Sequence, residues 1–600
     1  MDLFGDDRWE RDRWERHGRR TARLLASRWW RGGLAVTAGA LPALAFPAPS
    51  LWWFAYAALV PWMLLARSAP TPRRAALDGW LGGLGFMVAV HHWLLPSLHV
   101  FTVVIAALLG LLWAPWGWLV RRFLGGTPTP GRAAAALVVL PSAWLMVELV
   151  RSWQGLGGPW GLLGSSQWQV APALRLASVG GVWLISAFVV VVNTAVALLV
   201  IASAARAVGS RSVLRPVPWP AVVRPRSPVT GSPAATSLRT IAPLTFRSSG
   251  TPGSSGTFRS AGPGLVAVPA VVGILAVTAA TAAAWAWAPR PESAGRARVA
   301  VVQPGVIDGA RSADRRLARE EALTRTLAGR DLDLVVWGES SVGYDLVDRP
   351  DVARRIAALS REVGADILVN VDARRSDRSG IFKSSVLVGP EGPTGDRYDK
   401  MRLVPFGEYV PARSLLGWAT SVGKAAGEDR RRGDRQVVMD VGQGLRVGPL
   451  VCFESAFPDM SRRLTRDGAQ LLLAQSATSS FQSSWAPPQH ASLAAVRAAE
   501  TGRPMVHATL TGVSAVYAPD GSRVGSPLGT SASTAAVYDV PLGTGVTAYV
   551  RWGDWPVRAA MVVLVLLCAV EGLRIFRRPV PERPGPLART VHGSPVRPGR

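Results

Sequence analysis

The sequence contains very little lysine. Only three of its 67 basic residues are lysine, at positions 383, 400 and 424. A position that needed only positive charge would be expected to hold arginine in this chain. Lysine differs because its ammonium is compact, has rotatable donors and changes its pKa readily on burial. Lys400, in the run from Tyr398 to Glu408, is therefore interpreted as a candidate catalytic residue.

Cysteine is also scarce. The two copies, Cys452 and Cys568, exclude a disulfide framework, and Cys568 lies in an apolar segment where a small hydrophobic residue is the simplest interpretation. The seven histidines lack metal-ligand spacing, so no metal site is predicted. His490 and His507 are interpreted as isolated structural residues.

Acidic residues are outnumbered 40 to 67, which gives a net charge of +27. Such a charge can indicate nucleic-acid binding, but the arginines crowd the chain ends and the gaps between apolar segments. That distribution favours anchoring to anionic lipid over a groove that tracks phosphates, so nucleic acid is not an expected partner. The 49% hydrophobic content and 25 tryptophans indicate a membrane protein.

Eight apolar segments predict a polytopic helical bundle. Most are long enough to cross the hydrocarbon layer, which takes about 20 helical residues. The first two are short and contain proline, so they are the weakest. The segments cover about 33–46, 51–66, 77–96, 100–120, 133–150, 179–203, 265–288 and 555–576.

Arginine in alternate connections predicts the orientation of the bundle. If every segment spans, the arginine-rich stretches all fall on the cytoplasmic side, together with both termini. The predicted organisation is a tail at 1–32, six spans within 33–203, a cytoplasmic insert at 204–264, a seventh span, an extracytoplasmic domain at 297–548, an eighth span and a tail at 577–600. The insert has eight arginines and no acid, is rich in Pro, Ser and Gly, and is predicted to be disordered.

The range 297–548 alternates β-rich runs with helical patterns, which is typical of one α/β domain. Glu339 and Cys452 each follow an apolar strand, at the edge where α/β folds usually build sites. A cysteine that ends a buried strand is more often inert packing than a nucleophile. Here Glu454 follows closely, and a helix predicted near Pro458 is expected to lower the pKa of the thiol.

An acid, an ammonium and a thiol together indicate nucleophilic acyl chemistry. Glu339 is the candidate base, because partial desolvation after an apolar strand is expected to raise its pKa. Lys400 and the backbone N–H of Phe453 are the candidate donors to an oxyanion. Each has a simpler interpretation: Glu339 as a surface carboxylate and Lys400 as the partner of Asp399 or Glu408 in a salt bridge.

In this chain order the three residues resemble the carbon–nitrogen hydrolase (nitrilase) superfamily. The chain resembles one membrane-embedded branch more closely, the bacterial apolipoprotein N-acyltransferase family. The resemblance covers almost the whole chain and is carried by Tyr398-Asp399-Lys400, Leu403 to Pro411, Cys452-Phe453-Glu454, Gly502-Arg503-Pro504, Thr511 to Ser514, Arg551 to Pro556 and, in the membrane half, Glu148, Arg151, Trp153, Pro159-Trp160 and Ser166-Gln167.

The resemblance implies an eight-span bundle with an extracytoplasmic αββα sandwich in the bacterial plasma membrane. It implies ping-pong acyl transfer from a phospholipid, through a Cys452 thioester, to the α-amine of a lipoprotein's diacylglyceryl-cysteine, with no metal or organic cofactor. Glu408 is expected to position Lys400 and Glu339, and Glu454 to support the nucleophile. Candidate lipid-facing lid residues are Leu415, Leu416, Trp418, Phe481 and Trp485, with ordinary packing as the alternative.

The sequence departs from the family pattern at Gly338, where proline is usual, and at Leu510, where asparagine is usual. The first departure is expected to loosen the turn at Glu339. Two alternative functions stay open. One is a membrane-bound hydrolase or amidase that passes the acyl group to water. The other is a scaffold that recruits a polyprenol-phosphate mannosyltransferase through the basic insert.

Overall fold

The computed structural model describes residues 27–213, 263–411, 413–416, 428–442 and 444–577. Most of the two predicted tails and most of the predicted insert lie outside these ranges. The described chain forms a bundle of apolar helices and an α/β domain that packs on one end of it.

Among the described residues, six helices are long and apolar enough to cross a membrane. They coincide with the third to eighth predicted segments. Their ranges are Pro72–Leu98, Val100–Leu124, Pro130–Arg151, Ala171–Ala207, Leu265–Trp287 and Trp555–Arg574.

The first two predicted segments fold differently. They form short pieces, a helix at Arg28–Ala40, 3-10 turns at Leu41–Ala45 and Trp52–Tyr56, and a helix at Val60–Arg67. Prolines at positions 42, 47 and 61 explain the breaks, because proline removes a backbone donor and fixes φ. Neither segment is a single long helix, so a count of eight spans is not established.

The long helix Ala171–Val213 is interrupted where it meets the α/β domain. Gly180 and Gly181 have non-helical torsion angles, and Gly181 has φ +67°. A Cβ atom on Gly181 would lie 2.6 Å from the ring of Tyr549. The next N–H, from Val182, donates to the carboxyl of Glu500 at 2.7 Å, so a domain side chain caps the restarted helix.

Two six-stranded sheets form the α/β domain. The strands are β1 Glu292–Gln303, β2 Leu334–Trp337, β3 Asp366–Arg374, β4 Ile381–Gly389, β5 Gly392–Asp399, β6 Met439–Val441, β7 Leu445–Val451, β8 Leu471–Ser476, β9 Met505–Thr509, β10 Ser514–Tyr517, β11 Arg523–Leu528 and β12 Thr534–Thr544. The first sheet has the order β12-β1-β2-β3-β4-β5 and the second has the order β11-β10-β9-β8-β7-β6. Strands β1–β3 and β7–β9 run parallel within their sheets, and the outer strands pair antiparallel.

The two sheets face each other across an apolar core that includes Val301, Val336 and Leu473. Helices Ser312–Arg325 and Pro350–Val363 cover the outer face of the first sheet. Helices Pro458–Arg466 and Ala486–Thr501 cover the second, and their buried side chains continue into the core of the bundle. This layering places the outer face of the second sheet on the side of the membrane half.

Candidate active site

Cys452 directly follows the last residue of β7. Its backbone has φ +52°, a left-handed conformation that a cysteine rarely adopts. It also opens a short 3-10 helix, Cys452–Ala456. The thiol lies 4.0 Å from the carbonyl oxygen of Ala477, which follows β8. The strained turn therefore holds the sulfur at the carboxyl ends of two parallel strands.

Glu339 follows β2 and is 3% exposed. Its N–H donates to the carbonyl of Ser476 at 3.1 Å, and the N–H of Leu510 donates to the same oxygen at 2.8 Å. A Cβ atom on Gly338 would lie 1.9 Å from the nitrogen of Leu510. The close backbone contact at Gly338 thus leaves no room for a side chain, and the expectation that Gly338 loosens the turn stays a prediction.

Two lysines surround the carboxylate of Glu339. Lys400 is fully buried, and its Nζ lies 3.1 Å from Glu339 Oε1 and 2.7 Å from Glu408 Oε1. Lys383 on β4 was not predicted, yet its Nζ lies 2.9 Å from the same Glu339 oxygen and 3.1 Å from Glu408 Oε1. Two of the three lysines in the chain therefore meet here, and the scarcity argument that selected Lys400 applied equally to Lys383.

This charge cluster keeps Glu339 ionised. Burial by itself would raise the pKa of Glu339, but the ammonium groups of Lys383 and Lys400 outweigh it and lower the pKa well below the usual range. The neighbouring carboxylates in turn raise the pKa of Lys383 and of Lys400, against the effect of burial. The expected rise in the pKa of Glu339 is therefore wrong.

The pKa of the Cys452 thiol is shifted in the opposite direction, upwards. Burial and, secondarily, the negative charge of Glu339 raise the pKa of Cys452 to about 12, although the two lysines oppose this. The expected lowering of the thiol pKa is wrong. The resting pair is consequently a neutral thiol beside an ionised carboxylate.

Glu454 links the lysine segment to the nucleophile. Its Oε1 accepts hydrogen bonds from Tyr398 Oη and the Met401 N–H, both at 2.8 Å, and its Oε2 accepts from the Val451 N–H at 2.8 Å. The Phe453 N–H is in the first turn of the 3-10 helix, where backbone donors lack intrahelical partners. Glu408 Oε2 similarly fixes its own loop by accepting from the Val404 N–H at 2.8 Å.

The two histidines that were interpreted as isolated lie together behind Cys452. The rings of His490 and His507 are 4.6 Å apart. The Nε2 of His490 lies 3.1 Å from the carbonyl oxygen of Cys452 and 3.0 Å from Ser455 Oγ. Burial lowers the pKa of His490 to about 4, so the ring is neutral. Their sequence separation gave no indication of this pairing.

An apolar cavity of about 380 Å³ opens at Cys452. Its wall comes from both halves of the protein. The membrane half contributes Met87, Trp93, Leu98, Ile105 and Leu109, and the α/β domain contributes Val404, Phe453 and Phe481. The loop after helix Pro130–Arg151 closes against the nucleophile, because a Cβ atom on Gly158 would lie 2.4 Å from the Phe453 ring. The sulfur therefore faces an apolar chamber rather than bulk water.

The lid candidates fall into two groups. Phe481 and Trp485 contact the bundle, with ring centroids 4.8 Å from Trp93 and 4.6 Å from His92 respectively. Leu415 and Leu416 lie in the short helix Arg413–Leu416, and their side chains are outside the described part of the chain. Trp418 lies outside the described residues altogether.

The arrangement is suited to covalent acyl transfer: a thiol, an adjacent carboxylate that can take its proton, and two ammonium groups that can hold an oxyanion. In the described part of the chain, no three His, Cys, Asp or Glu side chains are grouped as a metal ion would need.

Comparisons with known proteins match both halves of the chain. The family model described as apolipoprotein N-acyltransferase N-terminal domain matches residues 38–195, and the model for carbon-nitrogen hydrolase matches residues 298–548. The apolipoprotein N-acyltransferase of Geobacter metallireducens is 30% identical over 559 residues, which is 89% of this chain and 94% of that protein. The one of Azotobacter vinelandii is 30% identical over 576 residues, which is 93% and 97%.

Among solved structures, an amidase from Nesterenkonia sp. is similar to this chain at 19% sequence identity. The similarity covers 42% of this chain and 92% of the amidase, with a TM-score of 0.30.

Proposed function

Because this chain belongs to the apolipoprotein N-acyltransferase family and is an acyltransferase, we propose that Cys452 carries the acyl chain between a phospholipid donor and the α-amine of a lipoprotein's diacylglyceryl-cysteine. The observation that carries this proposal is the meeting of Glu339, Lys400 and Cys452, with Cys452 in the wall of an apolar cavity lined by the membrane bundle. A site for two lipid substrates needs both the nucleophile and such a chamber.

In the first half-reaction, the sulfur attacks the carbonyl carbon of the sn-1 ester while Glu339 takes the thiol proton. Lys400 and the Phe453 N–H hold the oxyanion of the tetrahedral intermediate. When the carbon–oxygen bond breaks, Glu339 returns the proton to the departing oxygen. The products are a lysophospholipid and a Cys452 thioester.

In the second half-reaction, the acceptor amine attacks the thioester carbonyl carbon and Glu339 accepts the amine proton. The carbon–sulfur bond breaks and the thiolate takes the proton back, so the enzyme is regenerated and an amide is formed. An apolar chamber favours this amine over water as the acceptor, because it limits the access of water to the thioester.

The two lysines resolve the mismatch between a strongly acidic carboxyl and a weakly acidic thiol. Proton transfer from Cys452 to Glu339 is unfavourable while both ammonium groups neutralise the carboxylate. As negative charge builds on the substrate oxygen, Lys400 shifts its interaction towards that oxygen and the proton affinity of Glu339 rises. Lys383 and Glu408 keep the remaining charges paired.

Intact-mass analysis tests the proposal. Incubation with phospholipid vesicles should add one acyl chain to the protein, and Cys452→Ala should abolish the addition. Supply of a diacylglyceryl lipoprotein should then remove the acyl group from the enzyme and add it to the lipoprotein's N-terminus. Release of free fatty acid without any modified lipoprotein would instead favour the hydrolase alternative.

We also propose that all eight apolar segments span, with both termini cytoplasmic and the α/β domain outside. By their ideal rise per residue, the helix Arg28–Ala40 and the turn Leu41–Ala45 have a combined length of about 30 Å, which matches the hydrocarbon layer. The first turn of helix Pro130–Arg151 contains Arg132 and lies at the arginine-rich end of the bundle. The other end of this helix lies near Trp160, whose indole N–H donates to Gln489 of the α/β domain at 2.8 Å. Arginine and the α/β domain thus occupy opposite ends, as the positive-inside rule expects.

Thiol labelling tests this topology in a Cys452→Ala, Cys568→Ala background. A cysteine at Ser522, exposed in the α/β domain, should react with a membrane-impermeant maleimide in spheroplasts. A cysteine at Thr127, between two bundle helices, should react only after lysis. Labelling of both before lysis would refute the orientation.

We propose that Trp418, Phe481 and Trp485, with Leu415 and Leu416, act as a lid that admits lipid. Replacing Trp418 and Trp485 with serine should slow acyl loading from bilayers several-fold and leave loading from a short soluble ester unchanged. Equal loss with both donors would mean that these residues only support packing.

A further inference from the structure

Two cavities of opposite character meet at the site. The apolar cavity contains Cys452. A second cavity of about 330 Å³ is polar and contains Glu339 and Lys383 instead. We name it the polar cleft, and its other lining residues include Arg316, Ser340, Asp372 and Ser479. Ala477, Thr478 and Phe481 line both cavities and form the partition between them.

The proposed acceptor has two parts with opposite solvation needs. Its glyceryl acyl chains are apolar and match the apolar cavity. Its peptide chain carries backbone N–H and C=O groups, and burying these groups without hydrogen-bond partners is unfavourable. The amine between the two parts must reach both the thioester on Cys452, which lines the apolar cavity, and the carboxylate of Glu339, which lines the polar cleft.

The polar cleft offers partners suited to a peptide and an amine. Hydroxyl groups come from Ser340 and Ser479, and Ser340 Oγ donates to Asp372 Oδ2 at 3.2 Å. Cationic and anionic side chains are both present, with Arg316 and Lys383 facing the same space as Glu339 and Asp372. The carboxylates favour an approaching ammonium. Because the cleft carries charges of both signs, it suits the dipoles of a peptide backbone better than it suits a ligand with charge of one sign.

We propose that the polar cleft is the subsite for the acceptor's peptide chain. The lipid part then extends from the reacting amine into the apolar cavity, and the peptide part extends from it into the polar cleft on the other side of Phe481. This inference rests on the proposed function, because it assigns a place to the second substrate of that reaction.

Narrowing the cleft tests the assignment. Ser479→Trp is compared with the control variant Ser483→Trp. Ser483 lies on the same loop, is exposed and lines neither cavity. Each enzyme is first acylated on vesicles. The thioester is then discharged onto diacylglyceryl-cysteine amide, which has no further residues, or onto the same lipid on a five-residue peptide. Intact mass follows the enzyme over time.

The expected result is a change in the ratio of the two rates. Ser479→Trp should slow the peptide acceptor about ten-fold more than the amide acceptor. Ser483→Trp should keep the ratio of the unaltered enzyme. An unchanged ratio in Ser479→Trp overturns the assignment. Failure of the unaltered enzyme to form a thioester would refute the proposed function itself, and it is observed before any acceptor is added.

A charge variant gives a second test that does not depend on how much enzyme folds. Arg316→Glu is assayed in one mixture with two peptide acceptors that carry Glu or Lys directly after the lipidated cysteine. Reversing a charge in the cleft should lower the Glu-to-Lys product ratio at least about three-fold. An unaltered product ratio argues that the peptide does not occupy the cleft.

Discussion

Two buried ion clusters in this protein are built from different cations. In the bundle, Asp78 is fully buried, and it accepts from Arg31 at 2.7 Å and from Arg74 at 2.9 Å. In the α/β domain, the carboxylates of Glu339 and Glu408 share the ammonium groups of two lysines. The first cluster joins helices near the arginine-rich end, and the second lies beside the nucleophile.

The difference reflects what each cation can do. A guanidinium is planar and spreads fixed donors over several acceptors, which suits a permanent structural link. An ammonium can rotate its donors and redirect its charge to a new oxygen without a large movement. The contrast supports the proposal that this arginine-rich chain places lysine where a charge must change partners during a reaction. Four predictions test this contrast.

The largest expected effect is on stability in the bundle cluster. Asp78→Ala leaves Arg31 buried without its counter-ion and should lower the free energy of unfolding by about 3–5 kcal/mol. Thermal unfolding in detergent measures it, and turnover per folded molecule should be retained. The double variant Arg31→Met, Asp78→Leu should lose less, because no unpaired charge stays buried. Equal losses would mean that the pair contributes only packing.

Lys400→Arg should leave charge in place yet lower turnover about 10²–10³-fold, because the larger guanidinium cannot occupy the fully buried ammonium position and serve the oxyanion. Acyl loading from a soluble ester measures the effect. Arg402→Lys is the matched control, since Arg402 pairs with the half-exposed Asp459. Near-normal activity in Lys400→Arg would show that any cation suffices.

Glu339→Gln should make the thiol more reactive even as it impairs catalysis. The charge of Glu339 helps to raise the pKa of Cys452, and the two lysines remain to stabilise a thiolate. Alkylation of Cys452 by iodoacetamide at pH 8 should therefore be about ten-fold faster or more. Slower alkylation would mean that Glu339 already holds the thiol proton in the resting enzyme.

Lys383→Gln should move the acid limb of the pH–rate profile to higher pH. The carboxylate is the active form of Glu339, and it exists above the pKa of this group. Removing one of the two cations that lower this pKa raises it, so activity is lost at a higher pH, by about one unit. Arg397→Gln on β5, whose guanidinium contacts Asp345 and Asp399, serves as a control and should leave the limb in place.

Several elements could be predicted because their patterns are local. The third to eighth apolar segments are long enough to be read from hydropathy, and β2 and β7 are short apolar runs followed by polar residues. Strands such as β5, β11 and β12 were not predicted, because their residues are largely half-buried or exposed and carry no clear alternation. The first two segments were the weakest predictions, because prolines divide them into short pieces and their span count stays a proposal.

The site was predicted unevenly for a similar reason. Local sequence pointed to each of the three predicted residues. Glu339 and Cys452 each follow an apolar strand, and Lys400 is one of only three lysines in the chain. Lys383 lies within a strand, and His490 and His507 sit on separate elements, so their proximity depends on how β4, β9 and helix Ala486–Thr501 are stacked. The predicted direction of the pKa shift was wrong for Glu339 because two lysines surround its carboxylate, and wrong for Cys452 because burial and the charge of Glu339 outweigh those lysines.

The amino-acid sequence by itself determined the long apolar helices and the α/β domain, and it indicated the candidate acid, ammonium and thiol, since these follow from composition and local order. Only the tertiary structure decided the charge state of the reacting groups and the boundary between the apolar cavity and the polar cleft. Electrostatic energies depend on distance and burial, which residues far apart in the chain acquire only when both halves of the protein pack together.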